Sequence, residues 1–338
     1  MSSMKDVAQI AGVSVSTVSR VINNNIPVDK ETRLKVEEAI RQLRYKPNLL
    51  AKGLRLRSGG IIGLVVPEII HQTFVNFIHY VEESVVDSGF ELILGNTHGD
   101  PEKEERFIDS LIRRNVDGII FSRVSDQSRV LNILEKTNIP IVIIDRFLEN
   151  ENIPSIVLDN YKAGLLAGQH LVQYHHRKIA CITGPLNIAL SRERLKGFKA
   201  ALSEAGAILP DDFIYEGDFK FESGLAAVEK FLSDEIEMTA IWAQNDMMAI
   251  GALKVLNQHG IQVPEDISLM GMDNISSSEM ITPALTTITQ PFQEMCQKAV
   301  NVIINRKGKK ELAPSRIVLE PSLIIRDSTC PLLRESVC

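Results

Sequence analysis

The pattern of apolar and polar positions changes once along the chain, near residue 60. Before that point it has the period of short amphipathic helices. Val7, Ile10 and Ala11 recur at i, i+3 and i+4, one face of a helix. Ser3 and Asp6 have the spacing of a capping box at its start, and Gly12 suits a left-handed C-terminal cap. Ser14 is a good N-cap for a second helix reaching about Asn23, with Thr17, Val18, Val21 and Ile22 facing inward. Residues 23–27 read as a loop. Asp29 caps a third helix, whose inward positions are Val36, Ala39, Ile40 and Leu43. Two short helices joined by a tight turn containing Gly make a helix-turn-helix.

From Ile61 onward, continuous apolar runs alternate with helix-period segments. The runs, read as strands, are 61–66, 90–95, 117–121, 140–144, 178–183, 238–243 and 267–271. The helical segments fall near 73–88, 101–114, 160–174, 192–206, 221–233, 245–259 and 291–305. Apolar strands alternating with helices imply parallel sheets covered on both faces. Seven or more strands over this length fit two doubly wound lobes better than one.

The charge changes at the same place. Residues 1–60 hold eleven basic and five acidic residues, and the remainder holds 26 basic and 38 acidic. The overall net charge of −6 therefore joins a basic head to an acidic body, and an anionic partner is expected for the head alone. A chain with 44% hydrophobic and 24% charged residues belongs with globular proteins rather than disordered ones. No apolar run approaches the ~18 residues of a membrane helix. The N-terminus has no secretory pattern, and the four cysteines form no closely spaced framework. A reduced, cytoplasmic compartment is expected.

On the second helix Val15, Ser16, Ser19 and Arg20 point outward. Small residues on a first helical turn can approach base edges in the major groove, and an Arg one turn later can contact guanine. The hydroxyls of Ser14, Thr17 and Ser19, with the helix N-terminus, suit phosphates. On spacing alone, a solvated amphipathic helix with a capping Ser explains these positions equally well.

The string KDVAQIAGVSVSTVSRVIN, followed by RYKPN, resembles the helix-turn-helix of the LacI/GalR family of bacterial transcription regulators. The resemblance makes the second helix the recognition helix, with Val15, Ser16 and Arg20 as its specificity positions. Asn48, Ala51 and Leu54 match the family's N-x-x-A-x-x-L hinge. That likeness implies a segment that orders on operator, enters the minor groove from both subunits of a dimer, and wedges Leu54 into the central base step. Arg55 would add a minor-groove or phosphate contact. Read without the family, the segment is a basic linker with one incidental Leu.

Ligands of such sheets bind beyond the carboxyl ends of the strands. Asp145 and Arg146, Asn245 and Asp246, and Asp273 and Asn274 follow strand candidates, while Arg192 and Arg194 open the helix after CITGP. Acids, an amide and an Arg around one cleft suit a polyol. Taken singly, each is an ordinary turn or cap residue, and Asp246 is expected to be one. The segments QNDMMAIGALKVL, VPEDISLMGMDN, LTTITQPF and IIRDST resemble the family's effector domain to the end of the chain. Carried over position by position, the likeness implies Asp145, Arg194, Asn245 and Asp273 as polar effector contacts, with Phe219 and Phe292 as flat apolar walls. Ordinary core is the competing reading for both Phe residues.

Two places depart from the family pattern. Its usual N-P-F-F turn is His71-Gln72-Thr73-Phe74 here, which puts the aromatic contact at Thr73 in doubt and lets His71 supply a polar one. Its usual L-G-H-R is Tyr174-His175-His176-Arg177. Adjacent histidines on one helix end converge poorly on a metal, so neither metal nor cofactor is expected.

The domains implied are a helix-turn-helix over 1–46, a hinge and linker over 47–59, and an effector-binding and dimerisation domain over 60–338. One lobe would hold about 60–158 and 290–320, the other about 159–289 and 321–330. The nine residues after Thr329 cannot supply the heptads of a tetramerising coil, so a homodimer on palindromic double-stranded DNA is expected. The reading is a repressor of carbohydrate-utilisation genes, controlled by a sugar, sugar acid or sugar phosphate. A solute-binding protein of the same fold and a catabolite regulator controlled by a phosphocarrier protein are the alternatives. An enzyme is not expected, because no nucleotide-binding, nucleophile-elbow or zinc-protease motif occurs.

Overall fold

The computed structural model describes residues 3–23, 27–45, 59–122, 130, 133, 137–146, 153–306 and 316–332. They form two compact units, divided after Gly60.

In the first unit, α1 (Met4–Ala11), α2 (Val15–Asn23) and α3 (Lys30–Leu43) are the three expected helices. The capping box forms: Ser3 Oγ accepts from the Asp6 amide at 3.3 Å, and Asp6 Oδ2 accepts from the Ser3 amide at 2.7 Å. Gly12 adopts φ 63° and ends α1, its amide bonding back to the helix, a conformation that costs Gly little. Asp29 caps α3 through the Thr32 amide. Val7, Ala8, Ala11, Val18, Val21, Val36, Ala39 and Tyr45 pack into a small core. The expectation for Ile10 fails. It is 49% exposed, and Ala8 takes the inward place, because the close approach of three short helices admits a methyl group there.

In the second unit, strands β1 (Ile61–Val66), β2 (Glu91–Asn96), β3 (Gly118–Phe121), β4 (Ile141–Ile144), β5 (Ser155–Leu158) and β11 (Arg316–Leu319) form one parallel sheet, ordered β11-β5-β4-β3-β1-β2. A second sheet contains β6 (Ile179–Thr183), β7 (Ile214–Glu216), β8 (Ala240–Ala243), β9 (Ser268–Asp273), β10 (Thr286–Thr289) and β12 (Ser322–Ile324), ordered β12-β10-β9-β8-β6-β7. Only β12 runs antiparallel to its neighbour. The apolar runs are thus strands of two doubly wound lobes. Strands β5, β7, β10, β11 and β12 were not expected. They are short or carry Ser, Thr, Arg and Tyr, and only sheet pairing makes them strands.

Helices cover both faces of each sheet. In the first lobe, α4 (Gln72–Asp87) and α11 (Phe292–Arg306) bury Phe77, Val81, Met295, Ala299 and Ile303 on one face. Helix α5 (Pro101–Arg113) buries Ile108 and Leu111 on the other. In the second lobe, α6 (Asn160–Gln173) and α7 (Ala189–Glu204) surround Trp242 and Phe198. Helices α8 (Phe221–Ser233) and α9 (Asp246–Gln258) cover the opposite face, and the one-turn α10 (Ser276–Met280) follows β9.

The chain passes between the lobes three times: from β5 to α6, from β10 to α11, and from β11 to β12. Residues at these passes and at the carboxyl ends of β4, β6, β8 and β9 therefore face one cleft.

Candidate DNA-binding helix and effector cleft

The amino end of α2 is built from hydroxyls. Ser14 Oγ accepts from the Thr17 amide at 3.1 Å and hydrogen-bonds the Ser16 and Thr17 hydroxyls at 2.7 and 2.8 Å. Ser14, Val15, Ser16 and Arg20 are exposed, and Thr17 and Ser19 are half-buried. The first turn holds no acid. Free amides and small polar side chains at this end favour an anion. Asn48, Ala51, Leu54 and Arg55 lie outside the described residues.

The cleft starts from Asp145, directly beyond β4. It has φ 73°. Asp273, the last residue of β9, has φ 104°, and Phe219 has φ 67°. Non-glycine residues in this region carry strain of about 1–3 kcal/mol each, which persists only where the surroundings enforce it. Three of the seven expected effector residues are held this way.

Arg194 is 4% exposed. Its Nε donates to Asn160 Oδ1 and one terminal nitrogen to the Gln244 carbonyl, both at 2.9 Å. The expected start of α7 at residue 192 moves to Ala189, which puts Arg194 in the second turn. It reaches the cleft because α6 and α7 nearly touch: a Cβ on Gly164 would lie 1.8 Å from the Arg194 carbonyl oxygen. Burial lowers the pKa of Arg194, opposed by the nearby charges of Asp273 and Asp145. Burial raises that of Asp145, opposed by Arg146 and Arg194. These groups form one mutually compensating set, as buried charges require.

The expected cap is reassigned. Asn245 is the N-cap of α9, its Oδ1 accepting from the Met248 amide at 2.9 Å, while its Nδ2 donates to the Phe219 carbonyl at 2.7 Å. Asn245 thus holds Phe219 in place. The Phe219 ring lies over Gly184, where a Cβ would come within 1.9 Å of it. Asp246 is not the cap. Its carboxyl accepts from Thr287 Oγ1 at 2.7 Å and the Ile275 amide at 2.9 Å, tying down the turn that follows Asp273. Burial pushes its pKa up to about 8.

His71, the N-cap position of α4, is half-buried, its imidazole lying 5.6 Å from the Phe74 ring and 6.1 Å from Phe219 in the other lobe. Burial lowers its pKa. The structure does not place Phe292 with this group. It is 6% exposed and packs edge-on against Phe77 at 5.0 Å in the core of the first lobe. At the first position of α11, its side chain turns onto the sheet, so core is where it is found.

Three further residues join the cleft. Thr73 Oγ1 donates across the lobes to Asp273 Oδ2 at 2.9 Å. Gln290 Nε2 donates to Asp273 Oδ1 at 2.6 Å. Gln244 joins Gly184 to Ser191 through its side chain. Buried His71 Nδ1 and Gln290 Oε1 have no hydrogen-bond partner. Gln290 lies in LTTITQPF between β10 and α11, a position after a strand that could have marked it. Thr73 had no such signal. His170 and His176 are turned elsewhere, to Thr329 and to Thr239 and the Cys330 carbonyl, and no metal-binding cluster occurs among the described residues. No helix among them is long and apolar enough to cross a membrane.

Comparison with known proteins agrees with both units. Residues 3–48 match the family model of bacterial regulatory proteins of the lacI family, and 169–329 match a periplasmic binding protein-like domain. The ribose operon repressor of Escherichia coli (strain K12) is 37% identical over 97% of this chain and 100% of its own. The HTH-type transcriptional repressor PurR of Actinobacillus pleuropneumoniae serotype 3 (strain JL03) is 37% identical over 97% and 98%. A solved structure of the lac repressor dimer, bound to operator and the anti-inducer ONPF, superposes with a TM-score of 0.86 at 29% identity, covering 97% of this chain and 99% of that one. A helix-turn-helix unit, two periplasmic-binding-protein-like lobes and full-length relatedness together show that this chain belongs to the LacI family of DNA-binding transcriptional regulators, a family of regulators rather than enzymes.

Proposed function

We propose that the protein is a cytoplasmic repressor of carbohydrate-utilisation genes that binds a palindromic operator as a homodimer and is controlled by a monosaccharide in the cleft. The observation that carries the effector class is the buried set of Asp145, Arg194 and Asp273, with His71 Nδ1 and Gln290 Oε1 left without partners. Carboxylates and guanidinium groups alternate around a small space, a pattern that suits vicinal hydroxyls. The ribose operon repressor among the relatives, and the operator-bound dimer among the structures, support the same reading. Phe219 would cover the apolar face of the ring.

In this reading Ser16 and Arg20 read bases, Val15 makes apolar contact with them, and Ser14, Thr17 and Ser19 hold phosphates. Asn48, Ala51, Leu54 and Arg55 form the hinge that enters the minor groove. The sugar acts through its different affinities for two lobe arrangements, which shift the operator-binding equilibrium by the same free energy.

The test is a thermal-shift panel of sugars, sugar acids, sugar phosphates and purines, followed by operator titration with each ligand that stabilises the protein. A monosaccharide is expected to raise the melting temperature and change operator affinity. Stabilisation by a purine alone overturns the effector class.

A further inference from the structure

Thr73 stands where the family's turn usually carries an aromatic residue, and it does something an aromatic ring cannot. It is 7% exposed, in the first turn of α4, and its hydroxyl reaches the opposite lobe to donate to Asp273. Gln290 donates to the other oxygen of the same carboxylate. Both oxygens of Asp273 therefore already accept one hydrogen bond from the protein. The geometry of the Thr73 bond, O–H to carboxylate oxygen at 2.9 Å, is the one a sugar hydroxyl would make there.

We propose that Thr73 is a specificity-determining residue that takes the place of one effector hydroxyl at Asp273 and thereby limits the effector to a pentose. The inference rests on the monosaccharide reading above and sharpens it. The groups left open to a ligand are the Asp145 carboxylate, for which no side-chain hydrogen bond is found among the described residues, His71 Nδ1 and Gln290 Oε1. They can satisfy the ring hydroxyls of a pentose. A hexose adds a hydroxymethyl group, and in this direction that group meets the Thr73 side chain and a carboxylate oxygen already engaged. A site that leaves a ligand's polar group without a partner, or has no room for it, discriminates against that ligand strongly.

The experiment compares the wild type with Thr73→Ser and Thr73→Ala by isothermal titration calorimetry. The ligands are three pentose–hexose pairs of matched ring stereochemistry: D-ribose with D-allose, D-xylose with D-glucose, and L-arabinose with D-galactose. Thermal unfolding of each protein confirms equal folded fractions. The wild type and Thr73→Ser, which keeps the donor, should prefer the pentose of whichever pair binds. In Thr73→Ala, which opens space and frees Asp273 Oδ2, that preference should fall by about tenfold, one charge-assisted hydrogen bond. An unchanged ratio in Thr73→Ala, or a wild type that prefers the hexose, overturns the role of Thr73 and leaves the sugar reading standing. Failure of all six sugars to bind overturns the sugar reading and this proposal with it.

Discussion

Replacing Arg194 with Met tests whether the cleft is an electrostatic unit. Met keeps the apolar length of the side chain and removes the guanidinium. Two hydrogen bonds at 2.9 Å disappear, to Asn160 and to the Gln244 carbonyl, and each bond from a charged donor contributes about 1.5–3 kcal/mol. Asp145, now buried without one of its two neighbouring cations, adds a penalty that depends on pH. Its folded pKa already lies above the ordinary carboxylate value and rises further in the variant. A carboxyl group of this kind is ionised at a cost in the folded state, so its destabilisation grows as pH increases above about 4. The total expected loss is about 3–5 kcal/mol near neutral pH, in the range for breaking a buried ion pair, and smaller at pH 5. The assay is urea unfolding of wild type and variant at pH 5 and pH 8, with sugar titration and operator binding alongside. Sugar response should vanish while operator binding survives below the unfolding midpoint. Equal stability of the two proteins at pH 8, or an intact sugar response, would refute the reasoning.

Other outcomes follow from the same geometry. His170 is buried against Thr329 with its pKa lowered to about 4, so the unfolded chain takes up a proton first as pH falls below about 6.5. Stability should drop by up to about 3 kcal/mol between there and pH 4, and His170→Gln should flatten that part of the unfolding-versus-pH curve. A methyl group at Gly164 would meet the Arg194 carbonyl, so Gly164→Ala should cost about 1–3 kcal/mol by overpacking and weaken sugar binding by moving α7, both measurable by unfolding and calorimetry. Ser14→Ala removes the cap of α2 and should lower the melting temperature of the helix-turn-helix unit by the equivalent of about 1 kcal/mol. If the basic head holds phosphates, the logarithm of operator affinity should fall linearly with the logarithm of salt concentration, by about 0.9 per phosphate neutralised; a flat response in a fluorescence-anisotropy titration would exclude those contacts.

Both units and most of their elements were legible in the sequence because their signals are local. Capping at Ser3 and Asp29, the turn at Gly12 and the continuous apolar runs such as IIGLVV each act within a few residues. Asp145 and Asp273 were legible by their position after a strand, since a parallel sheet makes that edge a binding edge whatever the connections. The inward face of α1 was misread because Ala8 and Ile10 differ in size, and the width of the gap between helices, not periodicity, chose between them.

The sequence by itself determined the helix-turn-helix, the alternation of strands and helices, the division of charge between head and body, and the polar residues that could meet a ligand. Only the tertiary structure decided which of them meet. Thr73 and Asp273 are 200 residues apart, and their hydrogen bond exists because three passes of the chain bring two separately folded sheets edge to edge. The same passes turn Asn245 into the support of Phe219 and send Phe292 into the core. Local pattern reports how a residue faces its own element. Which element lies opposite is set by long-range packing, and in this protein the specificity of the cleft depends on it.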